Sequence, residues 1–428
     1  MESDTRTVQL TTSPLPVTAA DIDAAAERLR GIAIQTPLHI SQRLSDATGA
    51  QVWLKREDLQ PVRSYKIRGA YNLISQLSDE ERARGVICAS AGNHGQGVAL
   101  ACAMLGVRGK IYVPSTTPRQ KRERMLALGG DHVELVVTGE TYDDSSFAAR
   151  EAAERMGMVM VPAFDDPRTI AGQGTVAHEI VEQLGKAPDV VLVPVGGGGM
   201  VSGMLTWFAE HCPDTKVVGV EPAGAACLSA ALEAGGPIAL DAIDTFVDGA
   251  AVRKAGAITY QFANYYDLEL VSVPEGRVCS EMLELYQVDG IIAEPAGALA
   301  SAAFGLWNPE PGQTVIAMLS GGNNDVSRYA DIIERALIYE GRKHYFLVNF
   351  PQEPGALRRF LDDVLGPNDD ITYFEYVKRS NREHGPALVG IELGNRDDLS
   401  GLLERMAHSN IECERIDSQS TMFRFLNT

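Results

Sequence analysis

Short apolar runs alternate with segments of helical spacing through most of this chain of 428 residues. Between residues 84 and 164, four runs have the composition of strands: Val86–Ser90, Lys110–Pro114, His132–Val137 and Met158–Pro162. Helix-like segments separate them. Strands that alternate with helices are joined by right-handed crossovers, which produce a parallel sheet. The alternation therefore predicts an α/β fold.

Three later runs extend the α/β pattern, at Asp189–Val195, Lys216–Val220 and Thr314–Leu319. Their interiors are apolar at successive positions rather than at every second position. Strands of this kind are typical of a parallel sheet that helices cover on both faces. The sequence thus predicts parallel-rich sheets within residues 1–340.

The order of elements changes after residue 340. From there the pattern indicates strand, helix, strand, strand, helix and strand, at His344–Phe350, Pro354–Leu365, Ile371–Arg379, Ala387–Leu393, Asp397–His408 and Ile411–Ile416. This βαββαβ order is that of ferredoxin-like folds. Because residues 341–428 are enough for a small domain, we predict a separate α+β domain there.

Charge and composition argue against several classes of partner. A net charge of -19 disfavours binding to nucleic acid or to an anionic membrane. The N-terminal residues lack a secretory signal pattern, and no apolar run is long enough to span a bilayer. The six cysteines are scattered without a Cys-x-x-Cys pair, which favours buried thiols in a reducing compartment. We expect a cytoplasmic protein.

Four consecutive glycines, Gly196–Gly199, directly follow the apolar run that ends at Val195. A glycine-rich turn lets several backbone N–H groups surround an anion, and a helix beginning near Met200 would add its dipole. The spacing is neither that of a dinucleotide-binding loop nor that of a P-loop. The run predicts a phosphate site, with a flexible turn as the alternative.

Lys66 is the candidate nucleophile, in the segment Ser64–Ala70. An amine, a phosphate cradle and polar side chains at strand ends are what a protein needs to hold pyridoxal phosphate. Ser320 and Asn93 each follow a predicted strand. Ser320 could bond the pyridine nitrogen, and Asn93 the ring hydroxyl. The alternatives are a solvated lysine, a turn serine and an asparagine that caps a helix, and His94 fits a core or capping histidine.

Several motifs occur together in a fixed order. They are Lys55–Gln60, Ser64–Tyr71, Ala89–Gly97, Ala171–Thr175, Gly196–Gly199, Val220–Pro222, Glu294–Ala298 and Ser320–Asn323. In this order they resemble the fold-type II pyridoxal-phosphate enzymes, and more narrowly the threonine dehydratase branch. The resemblance covers about residues 15 to 340.

The resemblance implies a role for each matching residue. Lys66 is similar to the Schiff-base lysine, Asn93 to the asparagine at the ring hydroxyl, and Ser320 to the residue at the pyridine nitrogen. The phosphate loop would comprise Gly196, Gly197, Gly198, Gly199 and Met200. The substrate carboxylate would be held by Ser90, Ala91, Gly92, Asn93 and His94.

The same resemblance implies an architecture and a regulated reaction. The catalytic domain would span residues 1–340, with a smaller subdomain at about 65–165 inserted in the larger one. Residues 341–428, with Phe350–Leu357 as their clearest motif, resemble one ACT-like regulatory unit. Such an enzyme deaminates L-threonine, and L-serine, to a 2-oxo acid and ammonia. For threonine the product is 2-oxobutanoate, and the reaction is the first step of isoleucine biosynthesis. Isoleucine would inhibit a homotetramer, with valine as an opposing effector.

Two positions depart from the branch. Racemases of the branch carry a serine as second base where this chain has Ala91, so we expect weak racemisation. The divalent-metal site of the branch pairs a glutamate, here Glu221, with an aspartate where this chain has Cys227, so we expect no metal. A serine dehydratase or racemase, and a non-catalytic amino-acid sensor, remain as alternatives.

Overall fold

The structure, a computed structural model, describes residues 15–376, 383–417 and 420. The chain forms two compact units. The first comprises the described residues up to Val273 together with Ala293–Asn323, and the second comprises Pro274–Ile292 and the described residues from Asn324 onward. The domain boundary at residue 340 stays a prediction.

Fourteen strands occur in the described residues. They are β1 (Leu38–Ile40), β2 (Gln51–Arg56), β3 (Val86–Ala89), β4 (Gly109–Val113), β5 (Val133–Val137), β6 (Val159–Met160), β7 (Val190–Pro194), β8 (Lys216–Pro222), β9 (Glu269–Val273), β10 (Thr314–Leu319), β11 (Lys343–Pro351), β12 (Asp370–Tyr376), β13 (His384–Glu392) and β14 (Glu412–Arg415).

Seventeen α-helices accompany the strands in the same described ranges. They are α1 (Ala19–Leu29), α2 (Gln42–Thr48), α3 (Lys66–Ile74), α4 (Asp79–Arg84), α5 (Asn93–Leu105), α6 (Arg119–Gly129), α7 (Tyr142–Met156), α8 (Pro167–Gly174), α9 (Val176–Leu184), α10 (Gly199–His211), α11 (Cys227–Ala234), α12 (Ala257–Tyr265), α13 (Glu275–Gln287), α14 (Pro295–Ala302), α15 (Tyr329–Tyr339), α16 (Ala356–Val364) and α17 (Leu399–His408).

The first unit contains two sheets. The six-stranded sheet has the order β1-β2-β10-β7-β8-β9, and only β1 runs antiparallel to its neighbour. The four-stranded sheet has the order β5-β4-β3-β6 and is parallel throughout. Every residue of β3, β7 and β10 is buried, because helices cover both faces. The predicted α/β fold with parallel-rich sheets is confirmed.

Each sheet of the first unit has its own core. Val191, Met204, Phe208 and Phe262 belong to the core of the larger sheet, and all four are 0 or 1% exposed. Ile67, Val98 and Ile111 belong to the core of the smaller sheet, each at 0%. Burial of a side chain of this size stabilises by roughly 1.5–3 kcal/mol. The strand ends are thereby held in fixed positions.

The second unit contains an antiparallel sheet of order β12-β13-β11-β14. Helices α16 and α17 pack on it around the buried side chains of Phe346, Phe360, Val389 and Leu402. The order βαββαβ agrees with the sequence prediction. The predicted strand Ile371–Arg379 is observed as far as Tyr376, and its last three positions lie outside the described residues. Helices α13 and α15 of the same unit pack against each other, with Gly276 close to Tyr339.

Three buried parallel strands of the first unit lead into the predicted site. Strand β3 ends immediately before Ser90, β7 shortly before Gly196, and β10 immediately before Ser320. Ligands of open parallel sheets bind beyond such carboxyl ends. Over the described residues, no helix is both long and apolar enough to cross a membrane.

Candidate active site

Lys66 is the first residue of α3. In space, the start of this helix lies next to the residues that follow β10. The residue before it, Tyr65, donates its backbone N–H to the carbonyl of Ser320 at 3.2 Å. One position earlier, Ser64 forms an isolated antiparallel bridge with Gly321. These backbone contacts bring the candidate lysine and the candidate ring-nitrogen serine into one place.

The Lys66 amine contacts a backbone carbonyl on the other side of the site. Its Nζ donates to the oxygen of Ala163 at 3.0 Å, and Gln173 Nε2 donates to the same oxygen at 3.0 Å. The start of α3 also packs tightly on α5. A Cβ on Gly97 would lie 3.0 Å from the Lys66 carbonyl, so a side chain there would press on the Lys66 backbone.

The glycine run forms the turn between β7 and α10. Gly198 is the N-cap of α10 and has φ +91, a left-handed conformation that side chains disfavour. A Cβ on Gly197 would overlap the ring of Phe164, and one on Gly199 would overlap Gln173. Phe164 follows Ala163, which accepts from Lys66, so the glycine turn and the lysine are neighbours. The free N–H groups at the start of α10 suit a phosphate.

Asn93 is the first residue of α5, and Gly92 is the N-cap. The Asn93 side chain does not cap the helix. Instead Nδ2 donates to Glu294 Oε1 at 2.5 Å, and Oδ1 accepts from Asn323 Nδ2 at 2.7 Å. The alternative interpretation of Asn93 as a simple helix cap is therefore wrong. The amide lies between the end of β3 and the segment after β10, as a contact to the cofactor ring would require.

Ser320 is 3% exposed and donates its hydroxyl proton to the Ala296 carbonyl at 3.1 Å. A hydroxyl has one proton, so donation to an unprotonated pyridine nitrogen would require Ser320 to leave Ala296. In its present orientation its oxygen can still accept a hydrogen bond.

The predicted carboxylate-binding segment links β3 to α5. The backbone N–H of Gly92 donates to Ser90 Oγ at 3.3 Å, and Ala91 lies between them, partly exposed. His94 is 4% exposed, and its Nε2 is 2.7 Å from the Val161 carbonyl. Burial, with the Lys66 charge, lowers the pKa of His94 to about 3, so the ring is neutral. It is a core histidine.

The residues present fit pyridoxal phosphate. Among the described residues, the buried polar atoms without a protein hydrogen-bond partner include Ser64 Oγ, Gln173 Oε1 and His94 Nδ1. They belong to residues that contact, or adjoin in sequence, Lys66, Ser320, Asn93 or the glycine turn. An amine for the aldehyde, a helix start for the phosphate and polar side chains for the ring are the complete set that the cofactor needs.

Sequence reasoning assigned no role to Glu294 and Asn323, which hold Asn93, or to Gln173 and Phe164. Glu294 lies in a motif that the sequence analysis identified, but nothing local indicates its partner. It is 4% exposed. Burial, followed by the charge of Asp248, raises the pKa of the Glu294 carboxyl to about 7.

Glu221 and Cys227, the two positions that correspond to the divalent-metal site of the branch, are both buried. Glu221 accepts hydrogen bonds from the backbone N–H groups of Leu228 at 2.7 Å and Ser229 at 3.0 Å, and from the Ser229 hydroxyl. Cys227 Sγ is 3.5 Å from the Gly196 carbonyl. The described residues contain no group of three or more metal-ligating side chains.

Comparison with known proteins gives two family matches. The family described as pyridoxal-phosphate dependent enzyme matches residues 29–321. The family described as the C-terminal regulatory domain of threonine dehydratase matches residues 334–426. Together the two matches account for most of the chain.

Three relatives illustrate the similarity. A biosynthetic L-threonine dehydratase of Mycobacterium bovis is 60% identical over 417 residues, 97% of either chain. The structure of threonine deaminase isoform 2 of Solanum lycopersicum has a TM-score of 0.69 at 38% identity, over 77% of this chain and 97% of that one. Maize serine racemase has a TM-score of 0.69 at 27% identity, over 76% and 99%.

Proposed function

Because this chain belongs to the pyridoxal-phosphate dependent enzymes and carries the threonine dehydratase regulatory domain, we propose that it deaminates L-threonine to 2-oxobutanoate and ammonia. The observation that carries the proposal is the 60% identity to a biosynthetic threonine dehydratase over 97% of both chains. L-serine is the expected second substrate.

The residues of the site divide the chemistry between them. Pyridoxal phosphate, when bound, supplies the electron sink that stabilises negative charge at the substrate Cα. Lys66 Nζ is the group that would hold the cofactor aldehyde. As a free amine, the same Nζ would accept the Cα proton. Its partner in the structure, the Ala163 carbonyl, can hold the ammonium that results.

The other site residues bind and orient. The turn Gly196–Gly199, with Met200, presents backbone N–H groups to the phosphate. Ser320 would hold the pyridine nitrogen, and Asn93 the ring hydroxyl. The backbone of residues 90–94, at the start of α5, holds the substrate carboxylate beside the helix dipole.

The second unit suits end-product control. We propose isoleucine as its inhibitor and valine as the opposing effector, in a pathway that leads from 2-oxobutanoate to isoleucine. The sheet has edge strands at β12 and β14, and Tyr373 and Phe374 on β12 are each 39% exposed. Edge strands pair readily with a second copy, which supports self-association; the oligomer that we propose is a homotetramer. A biosynthetic role and six cysteines without a disulfide support a cytoplasmic location.

Two alternatives are less well supported. A serine racemase shares the fold, but Ala91 offers a methyl group where a second base would be needed. A non-catalytic sensor does not require the intact combination of Lys66, Ser320 and the glycine turn.

The test is an assay of 2-oxo acid and D-serine formation from threonine and serine, with and without isoleucine. Threonine deamination that isoleucine suppresses is the expected result. D-serine as the main product would favour the racemase, and a cofactor-loaded protein without turnover would favour the sensor.

A further inference from the structure

The amide of Asn93 is held at both ends by side chains that are distant in sequence. Asn323 Nδ2 donates to Asn93 Oδ1 at 2.7 Å and also to the Val62 carbonyl at 2.8 Å. A carbonyl only accepts, so Val62 fixes which end of the Asn323 amide carries the NH2 group. Asn323 then fixes the oxygen end of Asn93.

Glu294 holds the opposite end of the same amide. Asn93 Nδ2 donates one proton to Glu294 Oε1 at 2.5 Å, and an amide NH2 group has two protons. Turning the amide over would set the NH2 groups of Asn93 and Asn323 against each other and would place two oxygens together at Glu294. The second Nδ2 proton of Asn93 therefore has a defined direction.

The surrounding backbone is shaped to admit the Glu294 carboxyl. A Cβ on Gly321 would overlap a Glu294 carboxyl oxygen. A Cβ on Gly249 would lie 2.7 Å from that of Ala296, with Glu294 Oε1 at 3.7 Å and Asn93 Nδ2 at 3.8 Å. Backbone at two glycines thus encloses the Glu294 carboxyl, which is 4% exposed.

We propose that Glu294, together with Asn323, is a positioning residue that keeps the free N–H of Asn93 directed at the ring hydroxyl of the cofactor. The inference rests on the proposed contact between Asn93 and that hydroxyl. Glu294 acts through Asn93 and touches neither substrate nor cofactor.

The charge of the carboxyl connects this role to pH. Burial and then Asp248 raise the pKa of Glu294 to about 7, while the Asn93 hydrogen bond, Lys121 and Arg63 oppose the rise. Asp248 is itself paired with Lys121 at 2.7 Å. Above neutral pH an ionised Glu294 places negative charge one amide away from the ring oxygen. The visible absorption of the bound cofactor should respond.

The experiment compares the full-length cofactor-loaded variants E294A, E294Q and N323A with E281A and E281Q. Glu281 is likewise buried, at 0% exposure, but belongs to the other compact unit, where it pairs with Arg277. The readouts are the dissociation constant of pyridoxal phosphate and the position of its visible band from pH 5.5 to 9. Neither readout requires turnover.

E294A and N323A should each weaken cofactor binding by about tenfold and shift the band, because each removes one hydrogen bond that fixes the amide. E294Q keeps an acceptor, so it should restore the affinity, but it should lose the band response near pH 7. The E281 variants should behave as the wild type does. If E294A does not fold, N323A still tests the effect on cofactor affinity, and E294Q still tests the effect of pH on the band.

Two results would overturn the inference. The first is that E294A and N323A bind pyridoxal phosphate with the same affinity as E281A and show the same visible band. The second is that the visible band of E294Q responds to pH as the band of the wild type does. A wild-type protein that shows no visible band at all would instead contradict the cofactor site, which separates the two failures.

Discussion

Arg68 and Glu57 form a buried, two-pronged ion pair two residues beyond Lys66. Arg68 Nε lies 2.8 Å from Glu57 Oε2, and its second nitrogen bonds Oε1 at 2.8 Å. Glu179 accepts from both Arg68, at 2.6 Å, and Lys55, at 2.7 Å. The network contains two cations and two anions. It joins α3, which begins with the lysine, to the strand β2 and the helix α9.

The direction of each pKa reflects this mutual pairing. Burial disfavours the charge on Arg68, but Glu57 and Glu179 outweigh it and raise the pKa of the guanidinium. Burial likewise opposes ionisation of Glu57, and Arg68 outweighs it, so the pKa of Glu57 is lowered. For Lys55 burial dominates and lowers the pKa. The ion pairs survive burial because each charge has a partner.

Replacing Arg68 with methionine should destabilise the protein strongly. The change leaves Glu57 buried without its cation, a loss of about 3–5 kcal/mol. Thermal unfolding, followed on the apoprotein, would show a midpoint lowered by several degrees. R119A is the matched control, because Arg119 is 85% exposed and its pair with Glu123 spans a single helical turn. An equal effect of both variants would contradict the role of the buried network.

Acid should destabilise the first unit through His94. The folded-state pKa of about 3 is below the ordinary value of 6.5 because burial disfavours the charged ring. The unfolded chain therefore binds the extra proton first, and stability falls as pH drops below 6.5 toward 3. The loss is about 1.4 kcal/mol per pH unit in that window.

The variant H94Q tests that window, because its amide can still donate to the Val161 carbonyl. Unfolding midpoints between pH 4.5 and 7 should depend less on pH in H94Q than in the wild type. H408Q, at an exposed position on α17, should retain the wild-type slope. Parallel slopes in all three proteins would show that His94 does not titrate as described.

Replacing Ala91 with serine should raise racemase side activity. Racemases of the branch carry a hydroxyl there, and a methyl group cannot transfer a proton. Chiral analysis of serine after incubation with A91S is the measurement, with A91G as a control that opens space without adding a hydroxyl. If D-serine stays at the parent level, the position is not what limits racemisation.

Deleting the chain from residue 342 onward should abolish inhibition by isoleucine while turnover persists. An effector shifts an equilibrium only through different affinities for two states, so losing its site removes the coupling. The deletion removes the sheet of the second unit but no residue proposed to contact the cofactor. The readouts are an isoleucine titration and the oligomer mass, which should fall. Inhibition at the same concentration as in the full chain would place the effector site elsewhere.

Local sequence was sufficient for much of the fold and for part of the site. The strand ends before Ser90, Gly196 and Ser320 could be predicted because each is an apolar run followed by small or polar residues. The left-handed turn at Gly198 follows from the glycine run itself. The βαββαβ order in the second unit could also be predicted, because each strand there is an apolar run bounded by polar or turn residues.

Contacts between distant segments could not be predicted in this way. Asn93 and Glu294 are 201 residues apart, and Asn323 is 230 residues from Asn93. A capping role was the reasonable local alternative for Asn93, and only the juxtaposition of β3 and β10 ends excludes it. The pairing of Arg68 with Glu179 likewise depends on how α3 packs beside α9.

The central claim is that Lys66 carries the pyridoxal phosphate with which this chain deaminates threonine. The most direct measurement is the visible absorption band and the rate of 2-oxobutanoate formation of K66A, with K216A as a surface-lysine control. K66A should stay folded, lose the band of lysine-bound cofactor, and lose turnover by at least about a hundredfold. A K66A protein that retains the band, or threonine turnover within about tenfold of the wild type, would contradict the account.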